Sequence, residues 1–201
     1  MRIIGGIYRS RRLRAPTGKS TRPTSDRVRE ALFGMLEAAG AIKGARALDL
    51  YAGTGALALE ALSRGAAEAI VVECSRDALA VLRANIEDLG LHERALVVAA
   101  NVGNVASRLA DHGPFDLVFA DPPWTGVDAD EPSRTLAALA RAGALSAHAL
   151  VVIEHAARSS PPTVVGLALA DTRRYGDTAL AIYKPAILVP PRLGHARSYS
   201  E

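Results

Sequence analysis

The stretch ALDLYAGTGAL, residues 47–57, decides how this chain folds. Ala47, Leu48, Leu50 and Tyr51 make a short apolar run broken only by Asp49, and the run stops at two glycines one residue apart, Gly53 and Gly55. A helix-like stretch follows over about 55–64. An apolar run, a glycine turn and a helix open a β-α unit, and the glycines let the backbone turn sharply and approach a ligand closely.

The same unit repeats outward from this point. Apolar runs recur at 69–73, 95–99, 116–120 and 150–154, each nearly continuous, as strands covered on both faces require. Helix-like stretches lie between them at about 75–89, 103–112 and 131–142. The alternation predicts a doubly wound parallel α/β sheet. A last run, 178–183, follows a weakly patterned segment and a Gly176-Asp177 turn, and suits an antiparallel closing strand. Ahead of the first strand, Thr24 or Ser25 can cap a helix whose Val28, Ala31, Leu32, Met35 and Leu36 recur at three and four. The expected organisation is a basic extension of hairpin and helix over 1–40, a ligand-binding domain over 41–184 and a loose tail over 185–201.

At 201 residues and 49% hydrophobic, the chain has the material for one packed core. No stretch approaches the roughly 20 apolar residues of a membrane span, and the arginine-studded opening has no continuous apolar segment of a signal peptide. The expectation is a soluble, cytoplasmic protein with no membrane partner. Cys74 is the single cysteine, which excludes an internal disulfide and a cysteine-cluster metal site. It closes an apolar run and reads as filler. Charge is divided unevenly: residues 1–29 hold nine Lys and Arg against Asp26 alone and carry +8, while the remainder carries −5. A basic arm on a mildly acidic body suggests a phosphate-rich partner. Because Ile3, Ile4, Ile7, Tyr8 and Leu13 interleave with the arginines, the arm reads as an ordered hairpin.

Ligands of such sheets bind beyond the carboxyl ends of the strands, where strand order reverses. Glu73 ends the second run 20 residues after Gly53, where a carboxylate can accept both hydroxyls of a ribose. Together with Tyr51, Gly53 and Gly55 it marks a nucleoside-type cofactor. Gly53-x-Gly55-x-x-Ala58 also satisfies the dinucleotide pattern, so NAD is a competitor. Asp49 favours S-adenosyl-L-methionine, whose ammonium it can meet, and Asn101 is a candidate for the adenine edge.

The fourth run ends at the same rim in Asp121-Pro122-Pro123-Trp124, with the only tryptophan of the chain. The prolines stiffen the loop and fix its carbonyls, Asp121 adds an anionic acceptor, and Trp124 adds a flat apolar face. Acceptors beside a stacking face suit an amino group on a planar ring, so a nucleobase taken out of its stack is the predicted target. Asp121, Pro122, Pro123 and Trp124 are the candidate catalytic residues, and Asp121 is counted with the cofactor contacts as well.

Arg2-Ile3-Ile4-Gly5-Gly6, Arg11-Arg12-Leu13, residues 21–33 (TRPTSDRVREALF), residues 49–57, residues 60–66 and Asp121-Pro122-Pro123 together resemble the bacterial small-subunit (16S) rRNA guanine-N2 methyltransferases of the RsmD type. The resemblance runs from residue 2 to about 184. It implies a Rossmann-like class I S-adenosylmethionine-dependent methyltransferase fold, a mostly parallel seven-stranded sheet with helices on both faces and an N-terminal hairpin and helix extension. It also implies methylation of N2 of one guanine of 16S rRNA, in the small ribosomal subunit or an assembly intermediate, by a monomer without metal. Under it Arg9, Arg11, Arg12, Arg14, Arg22 and Arg27 become RNA contacts, chiefly to phosphates, and residues 26–29 a cover for the methionine end of the cofactor. Trp124 stands where the family has phenylalanine or tyrosine, and Gly34 where it often has asparagine. An amino-methyltransferase acting on another base, such as adenine N6, would share the Asp-Pro-Pro-aromatic loop. An NAD oxidoreductase lacks an evident His-acid pair, and a non-catalytic RNA-binding module leaves Asp49, Glu73 and Asp121 without a purpose. His155, at the end of the fifth run, is a weaker candidate at the same rim.

Overall fold

The computed structural model describes residues 1–15, 25–123 and 128–186. Seven strands, β1 (Arg46–Asp49), β2 (Glu68–Glu73), β3 (Ala95–Ala99), β4 (Phe115–Ala120), β5 (Leu145–Ala156), β6 (Leu167–Tyr175) and β7 (Thr178–Pro185), form one sheet ordered β3-β2-β1-β4-β5-β7-β6. The first five pair in parallel, whereas β7 lies antiparallel to both β5 and β6. From β1 the chain winds outward to β3, then returns to the other side of β1 for β4. The crevice between the carboxyl ends of β1 and β4 is therefore the switch point at which such sheets bind ligands.

Side chains alternate across the sheet. Ala47, Val71, Leu117, Phe119, Val152 and Leu180 pack under α1 (Asp26–Ala38), α2 (Ala56–Ser63) and α3 (Arg76–Asp88). Leu48, Ile70, Val118, Val151 and Ala181 pack on the other face under α4 (Ala106–Ala110) and α5 (Glu131–Arg141). Coverage of both faces is why the strands read as unbroken apolar runs.

The seven-stranded sheet is as expected, and two other expectations from the sequence change. Six strands are legible as apolar runs, and the seventh, which the resemblance implies, is β6: an edge strand with most of its residues exposed, and so without an apolar period. The helix expected over 103–112 is a 3-10 turn at Val102–Asn104 followed by the five residues of α4. The N-terminal hairpin reduces to one antiparallel bridge, Arg2 to Arg12, around a loop. Ser25 caps α1 by accepting from the Val28 N–H at 3.3 Å, while Thr24 and the tail from residue 187 lie outside the described residues.

The basic arm is anchored in the same core. Ile3 and Leu13 are buried in one cluster with Leu32 and Phe33 of α1 and with Leu59 and Leu62 of α2. The buried Glu60 carboxylate accepts from the backbone N–H groups of Ile4 (2.7 Å) and Gly5 (2.8 Å) and from Arg64 Nε (2.7 Å). Ser63 Oγ accepts from the Tyr8 N–H at 3.0 Å and donates to the Gly5 carbonyl at 2.6 Å. Only glycine fits at residue 6, where φ is +75° and a Cβ would stand 1.9 Å from the Ser63 carbonyl oxygen.

The direction of α1 follows from its ends. The residues after it, 39–45, line a cleft with Asp116, Leu150 and Lys184 at the amino end of the parallel strands. Its N-terminus therefore points to the carboxyl rim, and Phe33, 5.7 Å from Phe119 between ring centroids, sets the helix over β4.

Glu60→Ala should destabilise the protein by about 2–4 kcal/mol in urea unfolding, because it leaves the Ile4 and Gly5 N–H groups and Arg64 Nε without their acceptor, while Glu37 still pairs with Arg64 Nη1 at 2.8 Å.

Candidate active site

The rim is built from the ends of three neighbouring strands. Asp49 ends β1, is 1% exposed, and accepts from the Ala58 N–H of α2 through Oδ2 at 3.3 Å. Its other oxygen, Oδ1, is buried without a hydrogen-bond partner. Burial pushes the Asp49 carboxyl up to about 7; the Ala58 N–H opposes the rise, and the charges of Asp121 and Glu73 add to it. Asp49, Glu73 and Asp121, read from the sequence as three separate strand ends, thus share one electrostatic site.

Glu73, at the end of β2, fixes the glycine turn from the side. Its Oε2 accepts from the Gly53 N–H at 2.8 Å, and its Oε1 accepts from the N–H groups of Cys74 and Ser75, each at 2.8 Å. Gly53 has φ +54° and open space where a side chain would begin. Gly55 has φ +82° and caps α2, and a Cβ there would meet Leu82 Cδ1 at 2.6 Å. The first glycine leaves room on the ligand side, and the second lets α2 and α3 pack closely. Cys74 is exposed in the turn beyond β2, so the expectation of an apolar filler is corrected: the buried run ends at Val72.

Tyr51 and Asn101 border the crevice. The Tyr51 hydroxyl donates to Glu131 Oε1 at 3.0 Å, and burial, with Glu131 beside it, raises its pKa. Asn101 caps the 3-10 turn, its Oδ1 accepting from the Gly103 N–H at 2.8 Å. Glu131, at the start of α5, is a rim residue that sequence reading missed: 30 residues separate it from Asn101, and only the packing of α5 beside the turn brings the two together. Asp121, Pro122 and Pro123 follow β4 directly, whereas Trp124 lies outside the described residues. His155, further along β5, has its Nδ1 3.0 Å from the Ala156 carbonyl oxygen and its Nε2 buried without a partner; burial lowers its pKa.

The arm's cations differ from one another. Arg9, Arg12 and Arg27 are exposed. Arg14 makes a two-pronged ion pair with Asp88 (2.8 and 2.9 Å), and Arg11 donates to the Asp88 carbonyl at 2.7 Å. Arg22 lies outside the described residues. Arg29, expected over the cofactor with its neighbours, is instead fully buried and turned onto the arm, donating through Nη2 to the Arg2 carbonyl (2.8 Å) and to Asp26 (2.7 Å). Among the described residues no group of three or more His, Cys, Asp or Glu could hold a metal ion, and no helix is long and apolar enough to cross a membrane.

A sheet ordered 3-2-1-4-5-7-6, with a glycine turn after β1 and an acid at the end of β2, defines a class I methyltransferase fold. The chain belongs to the family described as Conserved hypothetical protein 95, whose model matches residues 1–184. Over 186 residues it is 38% identical to Ribosomal RNA small subunit methyltransferase D of Escherichia coli K12, covering 92% of this chain and 89% of that one. The solved structure of Escherichia coli yhhF superposes with a TM-score of 0.76 at 40% identity, covering 92% of this chain and 97% of that one. A hypothetical protein of Thermus thermophilus gives 0.75 at 33% identity, covering 90% and 98%.

The raised Asp49 carboxyl has a measurable consequence. Its stabilising contribution is present below the unfolded value near 3.8 and is lost as pH rises through about 7. Asp49→Asn should therefore make the ligand-free protein more stable at pH 8, by an amount on the order of 4 kcal/mol at most, and the gain should vanish toward pH 4. Urea unfolding at pH 8, 6 and 4 checks this.

Proposed function

We propose that this protein is an S-adenosyl-L-methionine-dependent methyltransferase that methylates the exocyclic N2 of one guanine in 16S rRNA of the small ribosomal subunit. The observation that carries the reading is the gathering of Glu73 and Asp121 about the buried Asp49 at one rim, with Glu73 on the glycine turn, in a chain 38% identical to a protein named for methylating small-subunit rRNA.

The rim fits the cofactor. The orphaned Asp49 Oδ1 is a buried acceptor suited to an ammonium, and the space beside Gly53 admits a ligand against the backbone. Glu73 would hold the ribose hydroxyls, Asn101 the adenine edge, and Tyr51 the wall between. When bound, S-adenosylmethionine supplies a methyl group activated by its sulfonium.

The chain's own task is to hold the acceptor. Guanine N2 is a weak nucleophile because its lone pair is delocalised into the ring. The Asp121 carboxylate and the Pro122 carbonyl would each accept one N–H of the amine, turning the lone pair toward the methyl carbon. Positioning of this kind supplies up to about 7–11 kcal/mol of a barrier. Asp121 would also take the proton that the amine sheds. A covalent route would require a nucleophile at the transfer loop, and Cys74 lies instead beyond β2, on the side assigned to the ribose. The exposed Arg9 and Arg12 supply phosphate contacts, which position RNA without reading its sequence.

Small subunits from a strain lacking the endogenous enzyme, incubated with this protein and methyl-labelled cofactor, should yield label in N2-methylguanosine after digestion to nucleosides. Label in another nucleoside would overturn the guanine assignment. Asp121→Ala should lower kcat about a hundredfold, and near-full activity would remove Asp121 from the reaction. Neutralising Arg9 and Arg12 together should reduce the salt slope of RNA binding by about 2, roughly one per lost phosphate contact.

A further inference from the structure

We infer that Asn85 is a positioning residue that couples the basic arm to the glycine turn, so that RNA and cofactor each strengthen the other's binding. The inference rests on the functional reading above and extends it to a residue with no catalytic chemistry of its own.

Asn85 sits on α3 and is 1% exposed. Its Oδ1 accepts from the Arg14 N–H at 2.8 Å, and its Nδ2 donates to the Arg14 carbonyl at 3.2 Å and to the Thr54 carbonyl at 2.9 Å. Both amide hydrogens and the amide oxygen are therefore engaged. An amide needed only to dock the arm would be satisfied by the two Arg14 bonds. The third bond reaches the residue between Gly53 and Gly55, next to the Gly53 N–H that Glu73 holds.

Neighbouring contacts run the same way. One turn further along α3, Asp88 holds the Arg14 guanidinium by two bonds and its carbonyl holds Arg11. Beside the turn, the Thr54 hydroxyl lies 4.0 Å from Met1 Sδ, at the start of the arm. The last turns of α3 thus form a strip on which the arm docks, and Asn85 is the point where the strip meets the cofactor turn. RNA bound along the arm would tighten the seat that Arg14 already has on Asn85, and Asn85 would in turn hold the Thr54 peptide more firmly in its binding geometry. Linkage requires the converse effect to be equal in size.

The measurement is the dissociation constant of labelled S-adenosylhomocysteine, which cannot turn over, with and without saturating unmethylated small subunits. For the wild-type protein the subunits should tighten binding roughly tenfold, within the usual span of coupled sites. Asn85→Asp keeps an acceptor for the Arg14 N–H but loses both donors, and should bring the ratio near one. A role limited to stability would shift the melting temperature and leave the ratio in place. If Asn85→Asp does not fold, Asp88→Ala carries the test: it loosens the arm at the adjacent, solvent-exposed contact and should lower the ratio. An unchanged ratio in the variant, or a wild-type ratio of one with both ligands bound, overturns the coupling alone. Failure of the wild-type protein to bind the subunits or the cofactor product overturns the functional reading together with it.

Discussion

The 2.8 Å hydrogen bond from the Gly53 N–H to Glu73 is the contact around which the rim is organised. It ties the turn after β1 to the end of β2, in a region where positive φ values at Gly53 and Gly55 leave the backbone otherwise free to move. A backbone bond from the Gly55 N–H to the Ala52 carbonyl (2.7 Å) closes the turn, and side chains hold it at two further points, Asn85 on the Thr54 carbonyl and Asp49 on the Ala58 N–H. Each side-chain tie comes from a different element. The turn therefore keeps its shape only if β2, α3 and β1 are all in place, so the site depends on the completed fold and not on local propensity.

The same convergence creates an electrostatic problem. Parallel strands bring their carboxyl ends to one edge, and here three of them deliver acids to it. Glu73 is relieved by three backbone N–H groups. Asp49 is relieved less, by the Ala58 N–H and the Tyr51 backbone, and its burial beside two carboxylates holds its proton to unusually high pH. A buried acceptor left incomplete is costly to the folded chain, and a cationic ligand group arriving at Asp49 would recover that cost as binding energy.

The arm joins this arrangement through buried polar contacts. Glu60 and Ser63 bind backbone groups of Ile4, Gly5 and Tyr8, and Arg64 pairs with Glu60 behind them, with few atoms left to water. Such a network adds little net stability over apolar packing, but removing one member is expensive. It therefore fixes where the arm lies more than it holds the domain together. Arg11 and Arg14 are occupied on Asp88 while Arg9 and Arg12 face outward, so the arm's charge serves both attachment and presentation.

The sequence by itself determined the alternation of strands and helices, the glycine turn and the acids at the strand ends, because burial on both faces and positive φ leave local marks in residue type. It also carried the family in its motifs. It did not show β6, since an exposed edge strand has no apolar period, nor the short α4. Tertiary structure alone decided which arginines are exposed, that Arg29 is buried, that Glu131 reaches Tyr51, and that Asn85 links Arg14 to Thr54 across 71 and 31 residues. An arginine or an asparagine reads alike whether its partner is a phosphate, water or a distant carbonyl. Its role is set by what the packing of the helices brings within about 3 Å of it.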